Sequence, residues 1–394
     1  MSKASRKEYQ RTIRRRYRGA DRIDKQKILD EFCEVCGYHR KYAIRVLNRT
    51  QTIKSAKKPG RPRQYHDPQL MNVLMKLWQV LNLPCSRRLK AGIPLWLPYY
   101  EEWAGITLPE TIKSKLLSIS PATIDRLMAH RKAQYTKMGL STTKPGSILK
   151  SHIPINTTQW DETRPGYLEA DTVAHCGTST AGSFVYTVNT VDIATGWSEQ
   201  RAVWGKGYRG VKEAMIDIER VLPFNIRGFD SDNGSEFLNW HLYKYFNLRP
   251  KPVTFTRSRP YRKNDNAHIE EKNWSIVRQY MGYNRFESQD LTETLNDIYT
   301  QEWRLLMNFF RPATKLIAKQ RIDAKIKKTY DKPKTPYQRI LESKHITRDK
   351  KDELTVYFQT LNPFKLQEIM EAKIKYFLKQ TTPLSQTLSM KILS

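Results

Sequence analysis

The chain has 394 residues, and its 69 Lys and Arg against 39 Asp and Glu give a formal net charge of +30 at pH 7. This surplus disfavours an ordinary metabolic enzyme and indicates a polyanion as the partner, because basic side chains that neutralise phosphates release condensed counterions. No apolar run is long enough to span a membrane, and the basic N-terminus has no signal-peptide core, so we expect a cytoplasmic protein.

The N-terminal region is the most basic part of the chain, with 20 Lys and Arg against 6 Asp and Glu in residues 1–66. Within a first domain, residues 1–56, apolar residues at helical spacing lead into Gly37, and a second helical segment follows over 39–48. This pattern predicts a helix-turn-helix. Its second helix would present Arg40, Lys41, Arg45 and Arg49 to a DNA major groove; a solvated face on a small bundle is the alternative.

Three further segments precede the next change in composition. Residues 57–66 form a basic linker whose Gly60-Arg61-Pro62 core resembles an AT-hook, so that Arg61 and Arg63 would enter a minor groove; a plain linker is the alternative. Residues 67–135 predict a second helical domain of the helix-turn-helix kind, in which a helix capped by Ser120 exposes Arg126 and Arg131. Residues 136–161 have the composition of a linker.

Four cysteines are too few and too scattered for a disulfide framework. Cys33-x-x-Cys36 with His39 has the spacing of part of a zinc site, but no fourth ligand is near in the sequence. Since Cys33 also follows the helical apolar pattern, we favour packed thiols at these positions.

Residues 162–285 alternate strand and helix patterns in the order βββαβαβα. The predicted strands cover 167–171, 184–192, 198–204, 226–229 and 252–256, and the predicted helices cover 209–221, 236–246 and 267–280. We therefore expect an α/β core with a mixed five-stranded sheet and flanking helices. Residues 286–394 predict a mostly helical, basic tail, in which 325–334 could extend a DNA-binding surface.

Three carboxylates occupy positions where this frame would bring them together. Asp171 closes the first strand, Asp232 follows the fourth, and Glu270 begins the last helix. At ~100° per residue, Glu270 borders the packed face of that helix whereas Glu271 lies opposite it. Asp230 is the rival to Asp232, and Asp192 has the sequence of a hairpin residue. Such a triad fits two Mg²⁺ or Mn²⁺ ions about 4 Å apart that act on a phosphodiester.

These residues and their motifs carry a resemblance to a known family. Asp171, the run from Asp232 to Phe237 (DNGSEF) and the run from Asn264 to Asn273 (NDNAHIEEKN) resemble the retroviral-integrase core of bacterial insertion-sequence transposases, the DDE group of the RNase H-like superfamily. The resemblance implies catalytic and metal-binding roles for Asp171, Asp232 and Glu270. It further implies nicking at inverted-repeat ends and joining of 3′-hydroxyls to target DNA by a homodimer or larger assembly on nucleoid DNA.

Basic residues near the triad are expected to hold the DNA backbone. They are Arg257, Arg259, Arg262, Lys263 and Lys272. Two alternatives remain open at this point. One is a DNA-binding regulator descended from a transposase, which would need no triad, and the other is an RNase H-like nuclease, which would cut DNA without joining it.

Overall fold

The computed structural model describes residues 3–49, 64–136, 162–231, 236–237, 239–257, 269, 272–322 and 325–381. The chain divides into two compact units, Met1–Gln64 and Tyr65–Ser394, and each has its own hydrophobic core. No helix in the described ranges is long and apolar enough to cross a membrane.

The first unit is helical, as predicted. Its helices are α1 (Lys3–Gly19), α2 (Arg22–Cys36) and α3 (Arg40–Asn48). Asp21 caps α2 by accepting a hydrogen bond from the backbone N–H of Asp24, and Gly37 ends the helix with a φ of 66°, a conformation that glycine adopts without strain. Phe32, Ala43 and Leu47 are buried between the helices, so the helix, short turn and second helix read from the sequence are present.

The second unit begins with four helices, the last of which starts after the predicted cap. They are α4 (Pro68–Val80), α5 (Ser86–Ala104), α6 (Glu110–Ser118) and α7 (Pro121–Thr136). Ser120 acts as the predicted cap, since its hydroxyl oxygen accepts a hydrogen bond from the backbone N–H of Thr123 at 3.2 Å. Ile124 and Met128 of α7 are fully buried.

A mixed five-stranded sheet follows, which confirms the α/β expectation for the described part of the core. Its strands are β1 (Tyr167–Ala174), β2 (Val185–Asp192), β3 (Ser198–Trp204), β4 (Gly228–Ser231) and β5 (Thr254–Arg257). The order across the sheet is β3-β2-β1-β4-β5. The β1–β2 and β2–β3 pairs are antiparallel, whereas β1–β4 and β4–β5 are parallel.

Helices cover both faces of this sheet. On one face, β1, β2 and β4 contribute Leu168, Ala170, Val188 and Phe229 to an apolar layer with α8 (Tyr208–Val221) and α9 (Trp240–Asn247). Over the other face lies α10, our name for the π-helical turn Asn273–Arg278 together with the short α-helical segment Gln279–Met281. Glu236 and Phe237, predicted to start α9, precede that helix instead, because Asn239 caps it.

The remaining residues are mostly helical, but the tail also contains a β-hairpin that the sequence analysis did not predict. The helices are α11 (Asp290–Ile298), continued by π-helical segments Tyr299–Trp303 and Leu306–Phe310, then α12 (Pro336–Glu342), α13 (Arg348–Gln359) and α14 (Pro363–Lys379). The hairpin pairs β6 (Leu316–Ile322) with β7 (Lys325–Tyr330), and β7 carries part of the basic stretch 325–334. Side chains from α4–α7, the sheet and the tail share one core.

Candidate active site

Asp171 lies near the middle of β1, not at its end as the sequence analysis proposed. β1 continues to Ala174 because it stays paired with β2, while its parallel pairing with β4 ends at Ala170 and Ser231. Asp171 is therefore the first residue of the central strand beyond its described pairing with β4. Its carboxylate is half-buried on the sheet face beneath α10, which is a position from which a carboxylate can still contact a ligand.

Hydrogen bonds fix the orientation of the Asp171 carboxylate. Oδ1 accepts from the backbone N–H of Thr172 at 2.7 Å, and Oδ2 accepts from the Asn273 side-chain amide at 2.7 Å. Both of these donors are uncharged, so they orient the carboxylate without neutralising it. Partners of this kind position metal ligands in proteins.

Asn273 is held in turn by a row of amides that crosses the sheet. Its Oδ1 accepts from Asn189 Nδ2 at 2.7 Å, and Asn189 Oδ1 accepts from Gln200 Nε2 at 2.8 Å. Asp171, Asn189 and Gln200 are direct neighbours in the strand register, so their side chains share one face. The Asp171 carboxylate can only accept, so it sets the direction of the row: the Asn273 NH₂ faces Asp171, Asn189 Nδ2 faces Asn273, and Gln200 Nε2 faces Asn189.

Two further carboxylates lie on this face, and the sequence analysis did not select Glu169. Glu169 and Asp230 are register partners on β1 and β4, and both are almost fully buried. Glu169 accepts from the backbone N–H of Ile269 at 3.1 Å, and Asp230 accepts from the Thr256 hydroxyl at 2.6 Å. The sequence contained one indication of this placement. Glu169 is two residues before Asp171, and strand alternation puts both side chains on one face.

Asp192 is a turn residue, as predicted. Its carboxylate accepts from the backbone N–H groups of Gly166 and Thr195, both at 2.8 Å, and from the Thr195 hydroxyl at 2.6 Å. Burial raises the pKa of Asp192 to about 6, against the lowering effect of these hydrogen bonds. The residue thus closes the β2–β3 turn.

Two residues of the DNGSEF motif, Glu236 and Phe237, fall within the described chain, and the side chains of both contact residues of the sheet. Glu236 is buried and accepts a hydrogen bond from the Thr172 hydroxyl at 3.1 Å, and its Oε1 pairs with Lys206 Nζ at 2.8 Å. The ring of Phe237 lies 6.0 Å from that of Phe229. The segment is therefore anchored next to Asp171 through Thr172.

The other two triad positions, Asp232 and Glu270, lie outside the described residues. Within the described ranges, no group of three His, Cys, Asp or Glu side chains could hold a metal ion. The described residues of the predicted helix 267–280 lie as expected for its packed face. Ile269, Ile276 and Val277 are buried, and Asn273 contacts the sheet.

The predicted DNA contacts are distributed over both units. In the first unit, Lys41 is exposed on α3, Arg40 pairs with Asp30, Arg45 lies 5.1 Å from the Tyr42 ring centroid, and Arg49 ends the helix. In the second unit, Arg126 and Arg131 are exposed on α7, and Lys272 is half-buried before α10. Outside the described residues lie Arg61, Arg63, Arg259, Arg262, Lys263 and the side chain of Arg257.

Comparison with known proteins identifies one extensive relative. The chain is 40% identical over 348 residues to the uncharacterized protein y4rM of Sinorhizobium fredii, and the match covers 86% of this chain and 96% of y4rM. The chain belongs to the same protein family as y4rM. No protein-family model matches the chain.

Two solved structures show weak similarity to part of this y4rM-family chain. The catalytic core domain of BIV integrase matches with a TM-score of 0.31 and 16% identity, over 46% of this chain and 96% of that one. The catalytic core domain of HTLV-2 integrase, in complex with magnesium in a dimeric form, matches with a TM-score of 0.28 and 12% identity, over 39% of this chain and 92% of that one. Similarity at this level carries no argument about activity.

Proposed function

We propose that the chain is a metal-dependent DNA transposase or integrase that nicks the inverted-repeat ends of a mobile element and joins their 3′-hydroxyls to target DNA. The observation that carries this proposal is the oriented, half-buried carboxylate of Asp171 at the point where the described β1–β4 pairing ends. The next residue after Ser231 in the chain is Asp232, so the two aspartates follow the last paired residues of neighbouring parallel strands.

The donor set around Asp171 suits a divalent cation. Carboxylate oxygens are the ligands that Mg²⁺ prefers, and Asp171, Asp232 and Glu270 would hold it. When bound, such ions polarise the phosphodiester and lower the pKa of the attacking water or hydroxyl. The contribution of the chain is positional: Asn273 and Thr172 hold the Asp171 carboxylate, and the Asn189–Gln200 row holds Asn273.

The DNA-binding part of the proposal rests on charge. Basic residues are exposed on α3 and α7, the helices that the sequence predicts to be the second helices of helix-turn-helix units. The whole chain carries a net charge of +30. We propose that the helical segments read the element ends and that Mg²⁺ or Mn²⁺ serves the triad in a homodimer or larger assembly on DNA. Salt should weaken DNA binding steeply, but a regulator or a nuclease would behave in the same way.

The deciding experiment uses labelled duplexes copied from the inverted repeats that bound the gene, with Mg²⁺ or with EDTA. Wild-type protein is expected to give both nicked and joined products. Asp171→Asn should lower both rates by about a thousandfold or more, because metal-ion stabilisation of the transition state supplies several kcal/mol. The free energy of unfolding should fall by about 1–3 kcal/mol, because the new amide turns its NH₂ toward one of the two donors that the carboxylate accepts from.

Matched variants test the assignment of the other two positions. Asp232→Asn and Glu270→Gln should abolish product, whereas their neighbours Asp230→Asn and Glu271→Gln should retain the chemistry in any folded protein. Loss of activity in Glu271→Gln with an active Glu270→Gln would contradict the assignment. Nicking without joining would favour the nuclease, and binding without any metal-dependent product would favour the regulator.

A further inference from the structure

A groove of about 350 Å³ lies between the α4–α5 turn and α10. Asn82 and Leu83 line it from the turn, and both have backbone φ values near 60°. Lys272 and Tyr280 line it from the opposite side, together with Arg311. All of these residues belong to the second compact unit.

The Arg311 guanidinium in this groove donates hydrogen bonds to uncharged acceptors, and the Glu371 carboxylate acts on it without a direct ion pair among the described residues. Its Nη2 donates to the Val80 carbonyl at 3.0 Å and to Gln367 Oε1 at 2.9 Å, and both acceptors are uncharged. Its Nε–H is buried and has no partner within the described chain. Burial lowers the pKa of Arg311, although the nearby Glu371 carboxylate opposes that effect. Buried charges in proteins are normally paired.

Two more polar groups of the groove lack an acceptor. Asn82 Nδ2 lies close enough to the Tyr280 hydroxyl oxygen to lower the pKa of Tyr280 as a donor would, but the contact lacks hydrogen-bond geometry, and neither atom has another partner among the described residues. Burial raises the pKa of Tyr280, so the hydroxyl keeps its proton and can donate. With Arg311 Nε, the groove therefore has three buried donors, and each is costly to leave unsatisfied.

The charge of the groove lining favours an anion. Arg88 and Lys272 line the groove with Arg311, while the Glu371 carboxylate that acts on Arg311 and Tyr280 lines the adjoining cavity, so cations outnumber carboxylates here. The Arg311 guanidinium also lies 5.2 Å from the centroid of the Tyr280 ring, which keeps the cation beside the hydroxyl-bearing residue. Lys272 follows Glu270 of the proposed triad by two residues in the chain.

We propose that this groove binds a phosphate group of the DNA on which the enzyme acts, with Arg311, Tyr280 and Asn82 donating hydrogen bonds to its oxygens. Charge-assisted bonds from arginine to phosphate are among the strongest in proteins. The inference rests on the proposed function only for the source of the phosphate. The groove itself would accept the same group from free phosphate.

Asn82→Asp is the sharpest test, because it replaces a donor by an acceptor of the same shape and aspartate also tolerates a positive φ. The new carboxylate would repel a phosphate and attract Arg311. We expect duplex affinity to fall by about tenfold and the slope of log K against log salt to fall by about one, while the unfolding temperature does not decrease. Gln359→Glu, an exposed change of equal charge in α13, should leave both DNA quantities unchanged.

A second measurement identifies the source of the phosphate. The unfolding temperatures of wild type and Asn82→Asp are compared in sodium phosphate and in sodium chloride of equal ionic strength. Stabilisation of wild type alone by phosphate would support the groove with free phosphate as its ligand, and a DNA effect alone would support a backbone phosphate. If wild type and Asn82→Asp bind DNA equally and phosphate stabilises neither, the proposal is overturned. It is also overturned if Gln359→Glu weakens DNA binding as much as Asn82→Asp does.

Failure of the proposed function would look different. The same proteins are assayed for nicking and joining with Mg²⁺. If Asn82→Asp changes phosphate or DNA binding but no protein gives a metal-dependent product, the groove proposal is supported and the proposed transposase activity is contradicted. If nicking and joining are normal and Asn82→Asp does not change binding, the proposed transposase activity is supported and the groove proposal is contradicted.

Discussion

The two faces of the central sheet are built by the same strands and differ in what they bury. One face packs Leu168 and Phe229 against α8 and α9, while the other carries Glu169, Asp171 and Asp230 beneath Ile269 and α10. A shift of one residue along a strand moves from one face to the other. Along each strand, residues that stabilise the core therefore alternate with residues of the polar face. Substitutions one position apart should have separable effects on stability and on the proposed activity.

The largest expected effect on stability lies on the apolar face. Phe229 is fully buried, and its ring centroid lies 4.7 Å from that of Phe246 and 5.3 Å from that of Phe255. Phe229→Ala should lower the free energy of unfolding by about 3–5 kcal/mol, as measured by urea denaturation. Phe229→Leu, which leaves a smaller void, should cost much less. A similar cost for both would mean that this layer is not tightly packed.

The polar face should respond differently to an equally local change. Asn273→Ala removes the amide that orients Asp171, and loss of such a partner costs 10–100-fold in metal affinity or activity in known sites. We therefore expect the Mg²⁺ concentration for half-maximal nicking to rise by about that factor.

Asn296 provides the matched control for Asn273. Its side chain makes two hydrogen bonds to the backbone of Ala202 on β3, at 2.7 and 2.9 Å. Asn296→Ala should lower stability without changing the Mg²⁺ requirement. If both variants shift that requirement equally, Asn273 does not act through Asp171.

A smaller effect concerns pH and the buried His175. Its Nε2 lies 2.8 Å from the Thr187 hydroxyl, its ring stacks on Phe286, and burial lowers its pKa well below the usual value. In the unfolded chain, His175 binds a proton near pH 6.5, whereas in the folded protein the imidazole stays neutral at that pH. The free energy of unfolding should therefore fall as pH drops below that value, by up to about 1.4 kcal/mol per pH unit.

His175→Phe isolates this contribution. The stability advantage of wild type over the variant, measured by urea denaturation, should shrink between pH 7.5 and pH 5. Asp192 has a pKa raised to about 6 and acts in the opposite direction, gaining stability as pH falls toward 4, but it is present in both proteins and cancels in the difference. An advantage that stays constant with pH would show that the folded protein also protonates His175.

The sequence predicted those parts of the molecule that depend on local periodicity and capping. The packed residues Ile269, Ile276 and Val277, the Ser120 cap and the turn role of Asp192 are all present. Each follows from spacing along a single element.

Features that depend on pairing between distant elements were not predicted. The row from Asp171 through Asn273 and Asn189 to Gln200 exists only once strand register is known, and the nearly complete burial of Glu169 depends on the elements packed around it, not on its spacing from Asp171. The length of β1 was underestimated because its end is set by pairing with β2. The β6–β7 hairpin lies in a basic stretch without strong alternation of apolar residues.

The common core of residues 65–394 bears on how the chain can be divided. Trp96 of α5 is fully buried, its Nε1 donates to the Phe310 carbonyl at 2.9 Å, and its ring lies 5.1 Å from that of Phe364. The helices before the sheet and those after it thus depend on each other for their packing. An excised fragment of residues 162–285 would lack both partners, so the region of the sheet is not expected to fold as a module without its neighbours.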